Sequence, residues 1–189
     1  GLYFLWTIGW GLLPVGLSGM LLVYFYSTQI IRRPLLCLLA PGLGFGPFMI
    51  LGAYYILIGH YSIAVLMTSF IMLFIVSNLL LLNQFPDLEP DRAVGRLHLP
   101  ILVGRKNAAR IYVLLLVMAY ALLLLLVYLK LLPIYSLLGM FTLFLGIPAA
   151  IFVLRFYDNM ARLIPALGLN VALTLSFPVL ISIGLIWQR

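Results

Sequence analysis

Asp87, Glu89 and Asp91 are three of the four acidic residues in this 189-residue chain, and they fall within five positions of one another. The local string is Asn83-Gln-Phe-Pro-Asp87-Leu-Glu-Pro-Asp91-Arg92-Ala-Val-Gly95-Arg96-Leu-His98, in which Asn83, Asp87 and Asp91 recur every four residues. On a helix such residues form one ladder that drifts by about 40° per step. Stacked like charges repel, so the pattern makes sense mainly when a cation joins them. Hard oxygen ligands favour Mg²⁺ or Ca²⁺, and Mg²⁺ takes one or two carboxylates and fills its shell from water and substrate phosphates. A diphosphate would reach the acids through bridging Mg²⁺, with Arg92, Arg96, Arg105 or Lys106 neutralising its remaining oxygens. The competing reading is a solvated loop whose acids pair with its own arginines. Pro86 and Pro90 each remove a backbone donor and crowd the preceding turn, which predicts a kinked helix end rather than one undistorted helix.

The elements that carry this string are apolar. The chain is 66% hydrophobic and 8% charged, against about 45–50% and about 25% for a soluble domain. Disorder would need the reverse balance, and a disulfide scaffold would need more than Cys37. An integral membrane protein remains. Segments free of charge run over 1–26, 35–58, 62–82, 111–129, 133–154 and 163–187, each long enough to cross about 30 Å of hydrocarbon. Stretches such as 122–126 show no alternation, so helices rather than a β-barrel satisfy the backbone in lipid. The expectation is an all-α protein of six transmembrane helices in one domain, with the acidic motif on the long connection 83–110.

The first, third and fifth connections hold Arg32 and Arg33, then Arg92, Arg96, Arg105, Lys106 and Arg110, then Arg155 and Arg162; the other face holds only Lys130 and Arg189. The positive-inside rule places the nine-cation face in the cytoplasm, and the expected location of the spans is the cell's inner (plasma) membrane. The net charge of +7 is then a topology signal, and nothing beyond charge supports nucleic-acid binding. Pro41, Gly42, Gly44, Gly46 and Pro47 crowd the second span; they mark either close helix packing or a break lining a cavity. His60 and His98 stand alone in connections, without zinc-site spacing, and read as solvated. Asp158 lies about one turn from both Arg155 and Arg162, which predicts local charge pairing.

The string from Asn83 through Asp87, Asp91, Arg92, Gly95 and Arg96 to Gly104 resembles the second aspartate-rich motif of the UbiA superfamily of intramembrane prenyltransferases. Its typical form is N-x-x-x-D-x-x-x-D-R followed by a Gly-Lys/Arg pair. Upstream, Tyr26-Ser27, Arg32, Gly42-Leu-Gly-Phe-Gly-Pro47 and Gly52-Ala-Tyr-Tyr55 look like the branch that prenylates dihydroxynaphthoate in menaquinone synthesis. Gln29-Ile30 and His98 depart from that branch, which usually has Pro-Pro and Thr there. The resemblance implies a nine-helix bundle with an earlier aspartate-rich motif, so this chain would correspond to helices four to nine and lack that first motif. It also implies transfer of a polyprenyl group from a polyprenyl diphosphate to an aromatic acceptor. In that reading Mg²⁺ is held by the catalytic Asp87 and Asp91 with Asn83 as a neutral ligand. Arg32, Arg92, Arg96, Arg105 and Lys106 would contact diphosphate, and Tyr26, Tyr54 and Tyr55 would line the substrate pocket and shield an allylic cation. The apolar tail would leave between helices into the lipid bilayer. Two other classes compete: an ion-coupled secondary transporter, whose ionisable groups belong near mid-membrane rather than at the edge, and a catalytically silent membrane subunit. A membrane transferase acting on nucleotide-activated alcohols would need an Asp-Gly…Ala-Arg…Gly pattern, which is not found.

Overall fold

The computed structural model describes residues 2–30 and 33–187. Six helical stretches within it are long and apolar enough to cross a membrane: Trp10–Thr28, Pro34–Ile58, Ile63–Asn83, Arg105–Tyr128, Ile134–Phe156 and Met160–Trp187. The first expected span, 1–26, is interrupted. Helix α1 covers Leu2–Ile8, and Gly9 then takes φ 117°, which favours glycine and breaks the helix before a short 3₁₀ turn leads into α2 (Leu13–Thr28).

The glycine- and proline-rich second span is not broken. It runs as α3 (Pro34–Leu43), a π-helical segment (Gly44–Phe48) and α4 (Met49–Ile58) without leaving helical geometry. Pro41 and Pro47 lie inside it, and widening the helix by one residue makes room for a ring that cannot donate to the preceding turn. The glycines serve the other face. A Cβ on Gly42 would meet Ser77 Oγ and stand 2.5 Å from the Leu73 carbonyl oxygen. One on Gly46 would stand 2.7 Å from the Ser69 carbonyl oxygen and 2.9 Å from Leu73 N. Of the two sequence expectations for this span, close packing of small residues is therefore the one the structure adopts.

Gly59, in the left-handed region, ends α4 and turns the chain into α5 (Ile63–Asn83). Helix α5 is the central post: it packs against α3, the π segment, α8 (Arg105–Tyr128) and α10 (Met160–Trp187). Between α8 and α10 lies a fifth span that begins as a 3₁₀ helix over Ile134–Thr142 and continues as α9 (Leu143–Phe156). One core cluster, with Leu81, Phe85, Leu99, Tyr112 and Leu163 fully or nearly fully buried, sits toward the end of the bundle where α5 finishes. A second, around Ile71, Ile75, Leu123, Phe177 and Ile181, fills the other half.

A few polar groups cross the interior. Tyr112 Oη donates to Asn170 Oδ1 at 3.0 Å, and Asn170 Nδ2 donates to the Asn78 carbonyl at 3.4 Å. These bonds tie α8, α10 and α5 together where the surroundings offer few other partners. Helix α2 is bound far more loosely: at its first end Tyr61 Oη donates to the Gly11 carbonyl at 2.8 Å, while Gly16 and Gly19 face open space.

Candidate functional site

Helix α5 stops because Pro86 has no N–H to give the Leu82 carbonyl. Its last turn tightens instead: Gln84 N donates to the Leu80 and Leu81 carbonyls, and Phe85 N donates to that of Leu82 at 3.2 Å. After the turn 84–87 a short helix α6 spans Leu88–Ala93. The Asp91 N–H donates to the Asp87 carbonyl at 2.9 Å, so the two acids are one turn apart. Asn83 stays on α5, and the expected kink thus splits the four-residue ladder between two helices.

Gly95, at φ 74°, reverses the chain after α6, and the Arg96 N–H donates to the Asp91 carbonyl at 2.9 Å. The chain then enters α7 (Leu99–Val103), passes Gly104 at φ 80° and starts α8. Buried Phe85, Leu88 and Leu99 hold this whole connection against the bundle.

Its charges are arranged unevenly. Asp91 Oδ1 meets Arg96 Nη1 at 3.2 Å, and Asp91 Oδ2 meets His98 Nε2. The His98 hydrogen bond, and after it the Arg96 guanidinium, hold the Asp91 carboxyl below the usual carboxylate range. Glu89 Oε1 accepts from Arg105 Nη2 at 3.2 Å. Asp87 is exposed, and no side-chain hydrogen bond or ion pair engages it among the described residues. Asn83, Arg92 and Lys106 are exposed at the same end of the bundle.

Both sequence readings of the connection therefore have a counterpart. Two acids pair with the loop's own arginines, and one carboxylate stays open. Among the described residues no group of three or more His, Cys, Asp or Glu is placed to enclose a metal. The donor set nevertheless suits Mg²⁺, which takes few protein carboxylates and keeps water and phosphate in its shell. Asp87 has all its lone pairs available, and Asp91 uses two of about four.

Several expectations need correction. His98 is not solvated; it is buried and bonded to Asp91. Nothing in the spacing revealed this, because the contact depends on the positive-φ turn at Gly95. Asp158 makes no ion pair among the described residues; the guanidiniums of Arg155 and Arg162 each lie 5.5 Å from the Phe156 ring centroid instead. The pocket tyrosines are placed apart from one another: Tyr54 and Tyr55 lie on α4, at the end of α5 away from the acids. Tyr55 packs on Tyr61 before α5 begins, with ring centroids 4.6 Å apart, and the 21 residues of α5 put about 30 Å between that end and Asp87. Tyr26 does lie toward the acidic end. Its hydroxyl is 3.8 Å from Cys37 Sγ, and with Leu22, Val23, Ala40, Pro41 and Phe45 it lines an apolar cavity of 220 Å³. Arg32 lies outside the described residues.

The profile of the UbiA prenyltransferase family matches residues 1–185. The chain belongs to that family. No curated protein and no solved structure matches it. Membership makes the six apolar spans those of an integral membrane prenyltransferase, with a polyprenyl substrate and a lipid environment. The connection after α5 presents an open carboxylate and several cations at the end of the apolar spans.

Proposed function

We propose that this chain carries the second diphosphate-handling motif of a Mg²⁺-dependent enzyme that transfers a polyprenyl group to a dihydroxynaphthoate-like aromatic acceptor in quinone biosynthesis. The observation that carries the reading is the open carboxylate of Asp87, one turn from Asp91, with exposed Arg92 and Lys106 on the same connection. Asp87 and Asp91 would hold Mg²⁺, with Asn83 as a neutral ligand from the end of α5. Bound there, the metal supplies Lewis-acid stabilisation of the negative charge that develops on diphosphate.

The chain's own residues do the rest. Arg92 and Lys106 contact the diphosphate oxygens, with Arg32 from the neighbouring connection. Arg96 and Arg105 first fix Asp91 and Glu89, and each guanidinium keeps further N–H donors for phosphate. The allylic C–O bond breaks with its electron pair leaving on diphosphate; an electron-rich ring carbon then bonds the allylic carbon and loses its proton to water. The apolar cavity beside Tyr26 suits part of the prenyl tail. The acidic connection faces the cytoplasmic side of the inner membrane, a reading supported by the cation distribution.

The test uses the full-length protein in proteoliposomes with a polyprenyl diphosphate and dihydroxynaphthoate. Asp87→Ala and Asp91→Ala should each cut turnover by about 100-fold or more, the usual effect of removing a stabiliser of developing charge, and chelation should match them. Unchanged turnover in either variant would overturn the metal role. The pairs Asp91–Arg96 and Glu89–Arg105 favour one other reading, a silent membrane subunit with a self-neutralised loop, and that reading requires no prenyl transfer in any variant.

A further inference from the structure

The strongest unused feature of the connection is His98. Its side chain is 9% exposed and that of Asp91 15%, whereas Arg96, on the other oxygen of the same carboxylate, is 63% exposed. The two groups that hold Asp91 are therefore unlike. Arg96 is a solvated arm, and His98 is part of the packed protein.

The backbone explains why. The His98 carbonyl accepts from Ile101 N at 3.0 Å and Leu102 N at 3.1 Å, which makes His98 the cap of α7. Leu99 and Pro100, the next two residues, are buried, with Leu99 in the main core cluster. Asp91 by contrast sits on α6, six residues long and largely exposed. Restraint therefore passes from the core through the imidazole to the carboxylate. With Asp91 ionised and acceptor-only, Nε2 carries the hydrogen that bonds it. Nδ1 is buried and has no hydrogen-bond partner among the described residues, which leaves Asp91 as the ring's partner there.

We propose that His98 is a positioning residue that holds the Asp91 carboxylate in the orientation needed to bind a divalent cation. The inference rests on the metal reading of the connection. A carboxylate free to rotate must be ordered when the cation binds, whereas one already fixed by a buried donor is not. Partners that orient metal ligands are typically worth 10–100-fold in affinity.

The two ring nitrogens allow a geometric test. The amide nitrogen of glutamine reaches the place of Nε2, and that of asparagine only the place of Nδ1. Mn²⁺ binding to the purified full-length protein, followed by the electron paramagnetic resonance of free Mn²⁺ in the presence of inorganic diphosphate, is the primary readout. His98→Ala should raise the Mn²⁺ dissociation constant by about 10-fold or more, His98→Gln should restore it to within about threefold, and His98→Asn should behave as His98→Ala. In turnover assays the half-activating Mg²⁺ concentration should rise in His98→Ala, while kcat recovers at saturating Mg²⁺. Binding by His98→Ala equal to wild type, or equal rescue by Gln and Asn, would overturn the proposal. Should His98→Ala fail to fold, the contrast between Gln and Asn decides it alone. Asp91→Ala separates the layers: if it leaves Mn²⁺ binding intact, the metal reading fails, whereas if it abolishes binding and His98→Ala leaves the dissociation constant at the wild-type value, only the positioning role fails.

Discussion

Helix α5 is held in two contrasting ways. Along its length the α3–π–α4 span lies against it through missing side chains, with Gly42 and Gly46 directly on the backbone of Ser69 and Leu73. Beyond its end, buried Phe85, Leu88 and Leu99 anchor the chain, and charged side chains tie it to itself: Asp91 to His98 and Arg96, and Glu89 to Arg105. The seam has no spare volume, so any added atom must move backbone. The exposed charged groups of the connection, Asp87, Glu89, Arg92 and Arg96, can be exchanged with little effect on folding while their chemistry changes. Stability and the proposed function thus fall on α5 and on the connection that follows it, and should separate under mutation.

The largest effect on folding is expected at the seam. Gly46→Ala places its methyl against the Ser69 carbonyl and Leu73 N, backbone atoms that cannot swing aside. Overpacking of this kind costs about 1–3 kcal/mol. Gly16→Ala on α2, where nothing lies within 4 Å, should instead be neutral or stabilising by up to about 1 kcal/mol from helix propensity. Thermal unfolding of the two variants in one detergent checks both signs. Equal stability would mean that the seam is looser than its geometry.

Tyr112→Phe should have an intermediate effect. It removes the donor to Asn170 Oδ1 in the buried interior and leaves the amide oxygen unpaired. Interhelical hydrogen bonds in membranes average about 0.6 kcal/mol and reach about 1.7, so a loss in that range is expected by denaturant titration. Activity should follow the folded fraction, because the bond is buried among packed side chains and engages none of the acidic groups.

The same contrast explains what the sequence could reveal. Charge-free runs locate spans because burying an ion in lipid is costly, and 35–58 and 62–82 lie within a residue of Pro34–Ile58 and Ile63–Asn83. Helix α8 starts at Arg105 rather than 111 because Arg105, Lys106 and Arg110 lie on its emergent first turns; a cation ends a hydrophobic run without ending a helix. The π segment was illegible, since Pro47 in the sequence signals a disturbed turn but not whether the helix widens or breaks there. Asp87 and Asp91 were legible as a pair from spacing, because a helical turn is a local property. The bond of Asp91 to His98 was not, because the positive φ at Gly95 that creates it has no counterpart in charge or hydropathy.

The smallest effect separates the two acids that form ion pairs. Glu89 and Asp91 both meet an arginine at 3.2 Å, yet the Glu89 side chain is 67% exposed, and only Asp91 has a buried second partner. Solvent screening leaves such an exposed pair worth about 0–1 kcal/mol. A double-mutant cycle of Glu89→Gln and Arg105→Gln should therefore give a coupling energy near the bottom of that range. If Arg105 reaches diphosphate as proposed, Glu89→Gln should also leave turnover unchanged or raise it slightly, because it frees the guanidinium from a competing anion. A fall in turnover comparable to that of Asp91→Ala would instead place Glu89 among the metal-holding carboxylates. The two arginine-paired acids would then be functionally alike, despite the buried histidine that distinguishes their surroundings.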